Sequence, residues 1–213
     1  MNWHFISDEH YGHRNIIDFC KRPFTDIYHM RETLIKNHNE VVKPEDAVIH
    51  IGDMYWNNLT EQECLEIRMR LNGTHYYIMG NHEKQMTRSS TLRSTFVWVQ
   101  DVMNLQIPGY APIWLSHYAH RVWPASHKGS YHLFGHSHAE LQPDGSLSLD
   151  VGVDNQNFYP ISLEDVDKKM KEISNKFTGK SFICPNKKCG NKFYPVHSRP
   201  TKCSKCGSEM ELR

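Results

Sequence analysis

The chain has 213 residues, with 25 Lys and Arg against 24 Asp and Glu, and it contains 15 His. This near-neutral balance argues against a protein that coats nucleic acid or an acidic membrane, and the lack of any run of 18 apolar residues predicts no membrane span. The first residues, MNWHFISDEH, lack the basic and apolar regions of a secretory signal. We therefore expect a cytoplasmic protein whose cysteines bind metal or lie in the core rather than form disulfides.

The first half of the chain alternates between strand-like and helix-like segments. Short apolar runs predict strands, and apolar residues spaced three or four apart predict helices. The predicted order is a strand at 2–8, helices at 14–21 and 27–42, a strand at 46–54, a helix from Thr60 to near Gly73, and a strand at 74–79. Thr60 with Glu63 has the pattern of a capping box. Such strand–helix units with short connections predict a mainly parallel sheet flanked by helices.

The pattern changes after residue 93. Short β-like runs at 96–104, 113–116, 131–134 and 146–151, divided by Pro and Gly turns, predict a second sheet. A last helix is predicted at 162–177, with Ser162 as its N-cap and Glu164 and Asp165 in its first turn, where the helix dipole favours negative charge. Residues 1–177 are therefore expected to form one layered α/β domain.

Polar clusters follow five of the predicted strands. They are Asp8-x-His10, Gly52-Asp53, Gly80-Asn81-His82-Glu83, Ser116-His117 and Gly135-His136-Ser137-His138. Ligands of open α/β sheets bind at the carboxyl ends of the strands, so these five loops are expected to converge on one site. Asp, Asn and His side chains suit divalent first-row metals. One His motif would carry little weight in a chain so rich in His, but five clusters in the same structural position predict a metal centre.

The ordered set DEH, GD, GNHE, SH and GHSH resembles the calcineurin-like metallophosphoesterases, in particular small members from bacteria and bacteriophages. The resemblance covers residues 1–177. It implies a four-layer α/β sandwich, in which two mixed sheets are flanked by helices, with two divalent ions (Mn²⁺, Fe²⁺, Ni²⁺ or Zn²⁺) in the active site. Carried over position by position, the first metal would be bound by Asp8, His10, Asp53 and His138, and the second by Asp53, Asn81, His117 and His136.

The resemblance also implies a phosphohydrolase in which a hydroxide shared by the two ions attacks a phosphoester. Asp53 would bridge the ions, and His82 would protonate the leaving group, with Glu83 as its orienting partner. Protein phosphatases of this group carry an Asp-Arg-Gly segment after the bridging Asp, whereas this chain has GDMYWNN, which disfavours a phosphoprotein substrate. We therefore expect a phosphodiesterase acting on nucleotides or nucleic-acid phosphoesters, with a phosphomonoesterase as the alternative.

Side chains next to these clusters are candidates for substrate contact. Three of them could bind phosphate, the alternative being a surface ion pair or a helix cap: His13, Arg14 and Arg121. Three aromatic residues could stack on a nucleobase or anchor the core: Tyr11, Trp56 and Trp123. The histidines outside the clusters are expected at the surface or hydrogen-bonded in the core: His4, His29, His38, His50, His75 and His197. Cys20 and Cys64 are expected in the core.

The C-terminal segment, residues 178–213, differs in composition from the rest. From Gly179 to Arg213 the net charge is +6, against −5 for the remainder. Cys184-x4-Cys189 and Cys203-x2-Cys206 predict a small zinc ribbon with one structural Zn²⁺ on four thiolates, and two disulfides are the rival interpretation. Its lysines, with Phe193 and Tyr194, would allow nucleic-acid binding, while protein docking or a purely structural role stay open. A binding module that works through the ribbon is thus the hypothesis from another functional class.

Overall fold

The structure, a computed structural model, describes residues 1–177 and, beyond them, residues 182–183, 189, 192–193, 206, 208–209 and 211–212. Residues 1–177 form a mixed α/β structure with two mixed sheets and flanking helices. Its elements in chain order are β1 Trp3–Ile6, α1 Arg14–Phe19, α2 Ile27–Val41, β2 Ala47–Ile51, α3 Glu61–Met69, β3 Thr74–Ile78, α4 Lys84–Arg88, α5 Ser90–Arg93, β4 Val99–Gln100, β5 Val102–Leu105, β6 Ile113–Ser116, β7 Tyr131–Phe134, β8 Ser148–Asp150, β9 Ile161–Ser162 and α6 Leu163–Phe177.

The first sheet has the strand order β4-β3-β2-β1-β9. Strands β1 to β4 are parallel, as the alternation of strands and helices predicts for the first three, and β9 adds an antiparallel edge next to β1. Strand β2 is buried at every position, because both faces of a central parallel strand are covered.

The second sheet has the order β5-β6-β7-β8. Strand β5 is antiparallel to β6, whereas β6, β7 and β8 run parallel. The carboxyl ends of β6 and β7 therefore lie at the same edge of this sheet, which places the segments that follow Ser116 and Phe134 side by side.

The predicted run 96–104 belongs to both sheets rather than to the second one alone. Val99–Gln100 pairs with β3 in the first sheet, and after one residue Val102–Leu105 pairs with β6 in the second. The two short helices α4 and α5 and the edge strand β9 were not predicted, because segments of two to five residues carry too little periodicity to be recognised.

Two clusters of buried apolar side chains hold the domain together. Between the sheets, inward-facing residues of β1, β2 and β3 pack against those of β6 and β7, and α6 adds Val166 and Met170. On the other face of the first sheet, α1, α2, α3 and α5 cover the second cluster, which includes Met30, Leu34 and Tyr77. The apolar stripe of α2 thus lies where its helical spacing predicts.

The outer face of the second sheet is covered by the segment that follows β6. Trp123 is only 4% exposed and lies against His132 of β7, with ring centroids 5.2 Å apart. The backbone N–H of His120 donates to His132 Nε2 at 2.9 Å, and Trp114 Nε1 donates to His120 Nδ1 at 2.9 Å. This segment includes a short 3₁₀ turn at Ser126–Lys128.

The C-terminal segment shows three two-residue strands, β10 Phe182–Ile183, β11 Lys192–Phe193 and β12 Glu211–Leu212, in which β10 pairs antiparallel with both others. Of the four expected zinc ligands, Cys189 and Cys206 lie within the described residues, whereas Cys184 and Cys203 lie outside them, as do Tyr194 and His197. The zinc ribbon therefore stays a prediction. Across the described residues, no helix combines the length and apolar character that a bilayer crossing requires.

Thr60 tests whether local capping contributes to the fold. Its side chain accepts a hydrogen bond from Glu63 N–H at 3.2 Å, while the Glu63 carboxylate accepts from Thr60 N–H at 2.8 Å. We expect Thr60→Ala to lower the free energy of unfolding by about 1 kcal/mol, because it leaves helix N–H groups without an acceptor. Urea unfolding would measure this, with Thr91→Ala as the control, since Thr91 is exposed within α5. Equal effects of the two substitutions would contradict the capping role.

Candidate metal centre

The five predicted clusters lie together where the carboxyl edges of the two sheets meet. Backbone hydrogen bonds join them: Asp8 N–H donates to Gly52 O at 3.1 Å, and His10 N–H donates to Asp53 O at 3.0 Å. Across the sheets, His136 N–H donates to Asp8 Oδ2 at 2.9 Å. The loop after β7 is therefore bound directly to the loop after β1, although 128 positions separate them in the chain.

The first group of candidate ligands is Asp8, His10 and His138, whose ligating atoms all lie within 4.8 Å of one another. Asp8 and His10 are buried, and the rings of His10 and His138 stack with centroids 5.1 Å apart. His138 Nδ1 lies 2.8 Å from the Asp154 carboxylate. This hydrogen bond leaves Nε2 of His138 for a ligand, as in metal-binding histidines whose other ring nitrogen is held by a carboxylate.

The second group is Asp53, His117 and His136, which meet the same distance limit. His117 Nε2 lies 3.5 Å from Asp53 Oδ2 and 3.0 Å from Asn81 Oδ1, so Asn81 belongs to this group as the resemblance implies. The other ring nitrogen, Nδ1, lies 2.8 Å from Ile51 O. The backbone carbonyl therefore fixes the His117 ring with Nε2 directed at Asp53.

Asp53 lies between the two groups. Its Oδ2 is 3.9 Å from His10 Nε2 of the first group and 3.5 Å from His117 Nε2 of the second. Its Oδ1 accepts a hydrogen bond from His82 N–H at 2.9 Å. A single carboxylate in this position can reach cations held by either group, which is the arrangement that a bridging ligand needs.

The backbone of the candidate ligands is held in an uncommon conformation. Ten non-glycine residues in the described part of the chain have positive φ, and half of them are candidate ligands: Asp8 (61°), His10 (52°), Asp53 (56°), His136 (66°) and His138 (44°). Left-handed conformations of non-glycine residues cost of order 1–3 kcal/mol each and concentrate at functional sites, where the surrounding structure enforces them. Directing these five side chains toward one place therefore lowers the stability of the fold.

Glycine permits the close approach of the loops, as Gly80 and Gly135 show. A Cβ at Gly135 would collide with Ser7 Oγ and Asp8 Oδ2, and a Cβ at Gly80 would collide with Asp53 Oδ1 and lie 2.8 Å from Asp53 N. Both glycines precede candidate ligands in the sequence. Their missing side chains leave the space that Asp8 and Asp53 occupy.

The polar atoms of the site fit divalent cations. Asp8 Oδ1 and both ring nitrogens of His10 are buried without a hydrogen-bond partner among the described residues. Burial raises the pKa of Asp8 to about 7 and lowers that of His10 well below its usual value. Burial alone would raise the pKa of Asp53 and lower that of His117. The hydrogen bond and the charge attraction between the two side chains outweigh burial, so the pKa of Asp53 falls to about 2 and that of His117 rises to about 9. Once deprotonated, buried carboxylates and imidazoles of this kind are suitable ligands for Mn²⁺, Fe²⁺, Ni²⁺ or Zn²⁺.

Two residues that support this site were missed in the sequence. Asp154 follows β8 as the other clusters follow their strands, so the same rule would have found it. Arg22 is buried and pairs with both Asp154 oxygens at 2.8 Å, while its guanidinium also donates to Asp8 O at 2.8 Å and Glu9 O at 3.1 Å. No sequence pattern marks Arg22, because its partners come from segments distant in the chain.

Glu83 has a different role from the one expected. Its carboxylate accepts hydrogen bonds from Asp53 N–H and Gly80 N–H, each at 2.8 Å, and from the Tyr77 hydroxyl at 3.0 Å. It therefore positions the loop that carries Asp53 rather than the His82 ring. The prediction of Glu83 as the partner of His82 is wrong, since the carboxylate lies below the loop among backbone donors.

Several histidines outside the clusters form a buried chain below the site. His50 Nδ1 lies 2.6 Å from Glu9 Oε1, His50 Nε2 lies 2.8 Å from His75 Nδ1, and His75 Nε2 lies 2.9 Å from Asn72 O. His38 Nε2 reaches the same carbonyl at 2.9 Å. These histidines are hydrogen-bonded in the core, as predicted, and they anchor Glu9 between the candidate ligands Asp8 and His10.

A cleft of about 810 Å³ opens over the candidate metal centre. His13 and His82 line it, and the half-buried Trp56 stacks flat on His13 with centroids 3.5 Å apart. Burial and the neighbouring His82 lower the pKa of His13 to about 4. Of the aromatic candidates for stacking, Trp56 is therefore the one that borders the cleft.

The other expected substrate contacts lie elsewhere. Arg14 is exposed and pairs with Asp18 at 3.3 Å on the surface of α1, and the exposed Arg121 does not line the cleft. Trp123 is buried, with Nε1 donating to Ser130 O at 3.1 Å, and Tyr11 is 1% exposed. Arg14 thus forms the surface ion pair that was its alternative, and Trp123 anchors the core. The role of Arg121 as a phosphate contact stays a prediction.

Comparisons with known proteins return relatives without an assigned activity. No family model matches the chain. Over 81 residues, 38% of this chain, the sequence is 42% identical to the uncharacterized protein MJ1445 of Methanocaldococcus jannaschii, and the match spans somewhat less than half (46%) of that protein's length. The crystal structure of the protein of unknown function AQ665 from Aquifex aeolicus is similar with a TM-score of 0.60 and 26% identity, covering 79% of this chain and 98% of that one.

A substitution at Gly135 tests whether the close approach of the loops after β1 and β7 is needed for metal binding. We expect Gly135→Ala to weaken or abolish metal binding at the first group, because the added Cβ would displace Asp8. Calorimetric titration with Mn²⁺ would measure the stoichiometry. Gly109→Ala is the matched control, since a Cβ there meets nothing within 4 Å although φ is +88°. This control should lose about 1 kcal/mol of stability from backbone strain and keep its metal binding. Unchanged Mn²⁺ binding in Gly135→Ala would contradict the assignment of Asp8.

A substitution at Asp154 tests whether its carboxylate orients the His138 ring for metal binding. We expect Asp154→Asn to weaken metal binding about 10-fold to 100-fold, because the amide is a poorer partner for the His138 ring and for Arg22. Asp18→Asn, which removes a carboxylate from a surface pair, should leave the affinity unchanged. Equal Mn²⁺ affinity in the two variants, at preserved circular dichroism, would show that Asp154 does not position a ligand.

Proposed function

We propose that the protein is a metal-dependent phosphohydrolase of the calcineurin-like type, and that it acts on phosphodiesters. The observation that carries the proposal is the cluster of six candidate ligands that includes Asp53, in which the ligating atoms of each group lie within 4.8 Å of one another, with Asn81 Oδ1 3.0 Å from His117 Nε2. The proposal includes the four-layer fold of that family, with the segment after β6 forming the layer outside the second sheet.

The residues have distinct roles in this proposal. Asp8, His10, Asp53 and His138 would hold one cation, and Asp53, Asn81, His117 and His136 the other. When bound, such a pair lowers the pKa of water and neutralises charge on a phosphoryl group. The chain's own contribution is to hold these donors in fixed, strained conformations so that little rearrangement is needed on loading.

His82 is the residue best placed to donate a proton to the leaving oxygen. Its ring borders the cleft between Trp56, at 4.5 Å, and His10, at 5.8 Å. Its backbone N–H is fixed on Asp53, so the ring is held close to the cluster without belonging to either group of ligands. A general acid in such a position contributes about 10²-fold to 10⁴-fold to the rate.

The charge of the cleft favours a diester over a monoester. Among the described residues that line it, none is Lys or Arg. A diester carries one negative charge near neutral pH, which the bound cations offset, whereas a monoester carries close to two. The missing Arg after Asp53 and the outward position of Arg14 agree with this preference.

Hydrolysis of two chromogenic esters tests the function. With Mn²⁺ bound, we expect faster turnover of bis-p-nitrophenyl phosphate than of p-nitrophenyl phosphate. His82→Ala should lower kcat for a diester with a poor leaving group by about 10²-fold to 10⁴-fold, while the metal content measured by elemental analysis stays unchanged. The exposed His29 offers the control His29→Ala, which should keep full activity. Hydrolysis of neither ester by the metal-loaded protein would count against the proposal, and faster monoester turnover would favour a phosphatase.

The expected structural Zn²⁺ on Cys184, Cys189, Cys203 and Cys206 belongs to the same proposal. Elemental analysis of the full chain should therefore find zinc in addition to the two ions of the catalytic centre. Replacing Cys206 by Ser should remove that zinc and leave the catalytic ions in place, because the two sites use separate ligands.

A further inference from the structure

One cysteine lies beside the candidate metal centre. Cys20 directly follows α1, packs against the buried cluster that the helices cover, and also lines the cleft. It is half-buried and is a free thiol. Cys20 thus lies at the boundary of the core in which it was expected, where an ion that enters the cleft can reach it.

Cys20 belongs to a third group of candidate metal ligands. The group consists of Cys20, His138 and Asp154, whose ligating atoms all lie within 4.8 Å of one another. Unlike the first two groups, it contains sulfur. A thiolate, an imidazole and a carboxylate are all ligands that zinc takes in proteins, whereas Mn²⁺ prefers oxygen. The composition of this group therefore favours thiophilic cations such as Zn²⁺ or Cd²⁺.

The surroundings of the thiol increase this selectivity. Burial and the neighbouring Asp154 raise the pKa of Cys20 to about 11, so the thiol carries its proton near neutral pH. A cation must displace that proton in order to bind sulfur. Ions with a high affinity for thiolate do so, and the negative charge of Asp154 attracts them, whereas Mn²⁺ gains too little from sulfur.

His138 belongs both to this group and to the first one. Its Nδ1 lies 2.8 Å from Asp154 Oδ2, and this hydrogen bond directs Nε2 toward the first group. A cation between His138 and Asp154 would take the place of the Nδ1 proton and remove that hydrogen bond. Arg22 does not prevent this, because it donates to each Asp154 oxygen once and a carboxylate oxygen has two lone pairs. Occupation of the third group should therefore disturb the first.

We propose that Cys20, His138 and Asp154 form an inhibitory site for an excess thiophilic cation such as Zn²⁺ or Cd²⁺, and that an ion bound there weakens the binding of Mn²⁺ by the first group. The inhibition rests on the proposed function, since it takes the first group as a catalytic cation site. The thiol site itself depends only on the three side chains that form it.

Titration of the full-length, Mn²⁺-loaded protein with Cd²⁺ tests the site by two measurements. The first is the release of Mn²⁺, followed by electron paramagnetic resonance. Cys20→Ser should raise the Cd²⁺ concentration that releases Mn²⁺ by at least about 10-fold, the lower end of what losing even a supporting partner of a metal ligand costs. Cys20→Ala should have the same effect, and circular dichroism of both variants checks that they fold.

The second measurement is the rate at which iodoacetamide alkylates each cysteine, resolved by mass spectrometry. Cd²⁺ should slow the alkylation of Cys20, because the metal-bound sulfur is no longer available, whereas Mn²⁺ alone should not. The control is Cys206→Ser, which removes a cysteine of the expected ribbon and should leave the Cd²⁺-dependent release of Mn²⁺ and the protection of Cys20 unchanged. Neither measurement depends on turnover.

The outcomes separate this site from the function on which its inhibitory role rests. Release of Mn²⁺ at equal Cd²⁺ concentrations in the wild-type protein and Cys20→Ser, or alkylation of Cys20 at the same rate with and without Cd²⁺, would overturn the inference and leave the phosphohydrolase proposal standing. Failure of the wild-type protein to bind Mn²⁺ would count against the proposed function and against the inhibitory role, whereas protection of Cys20 by Cd²⁺ would still support the thiol site.

Discussion

Buried carboxylates and imidazoles that face one another at the seam of two sheets are the feature on which the rest of this structure depends. Asp8 and Asp53 are almost inaccessible, and their charges are opposed by histidines and by hydrogen bonds from backbone N–H groups. Such a cluster is costly in a protein core unless cations complete it. The left-handed backbone at five candidate ligands and the glycines at 80 and 135 are consequences of bringing so many ligands together.

The arginines near the site differ in position. One of them supports the candidate ligands, and the other two lie outside the cleft. Arg22 is buried beneath the loop after β1, where it joins Asp154 to the backbone of Asp8 and Glu9. Arg14 and Arg121 are exposed, and neither lines the cleft. Affinity for a phosphate would therefore come mainly from cations bound at the candidate centre rather than from arginine side chains.

Histidine use in this chain shows how far local sequence can be interpreted. The 15 histidines are chemically alike, and those after predicted strands do lie at the candidate metal centre. The remaining described ones include a buried chain, in which His50 joins Glu9 to His75, the buried His132 of β7, and surface positions such as His29. Strand ends can be recognised from periodicity. The partner of a core histidine cannot, because it is supplied by another strand of the sheet.

By itself the sequence determined the order of the main strands and helices, the capping box at Thr60, and the polar clusters that follow the strands, because periodicity and turn chemistry are local properties. Tertiary structure alone decided that residues 99–105 divide between two sheets, that Glu83 binds the Asp53 loop, and that Trp56 borders the cleft while Trp123 lies buried. It also decided that Arg22 supports the site. These outcomes depend on which distant segments pack together, and the burial and partners of a side chain are set only when the two sheets meet.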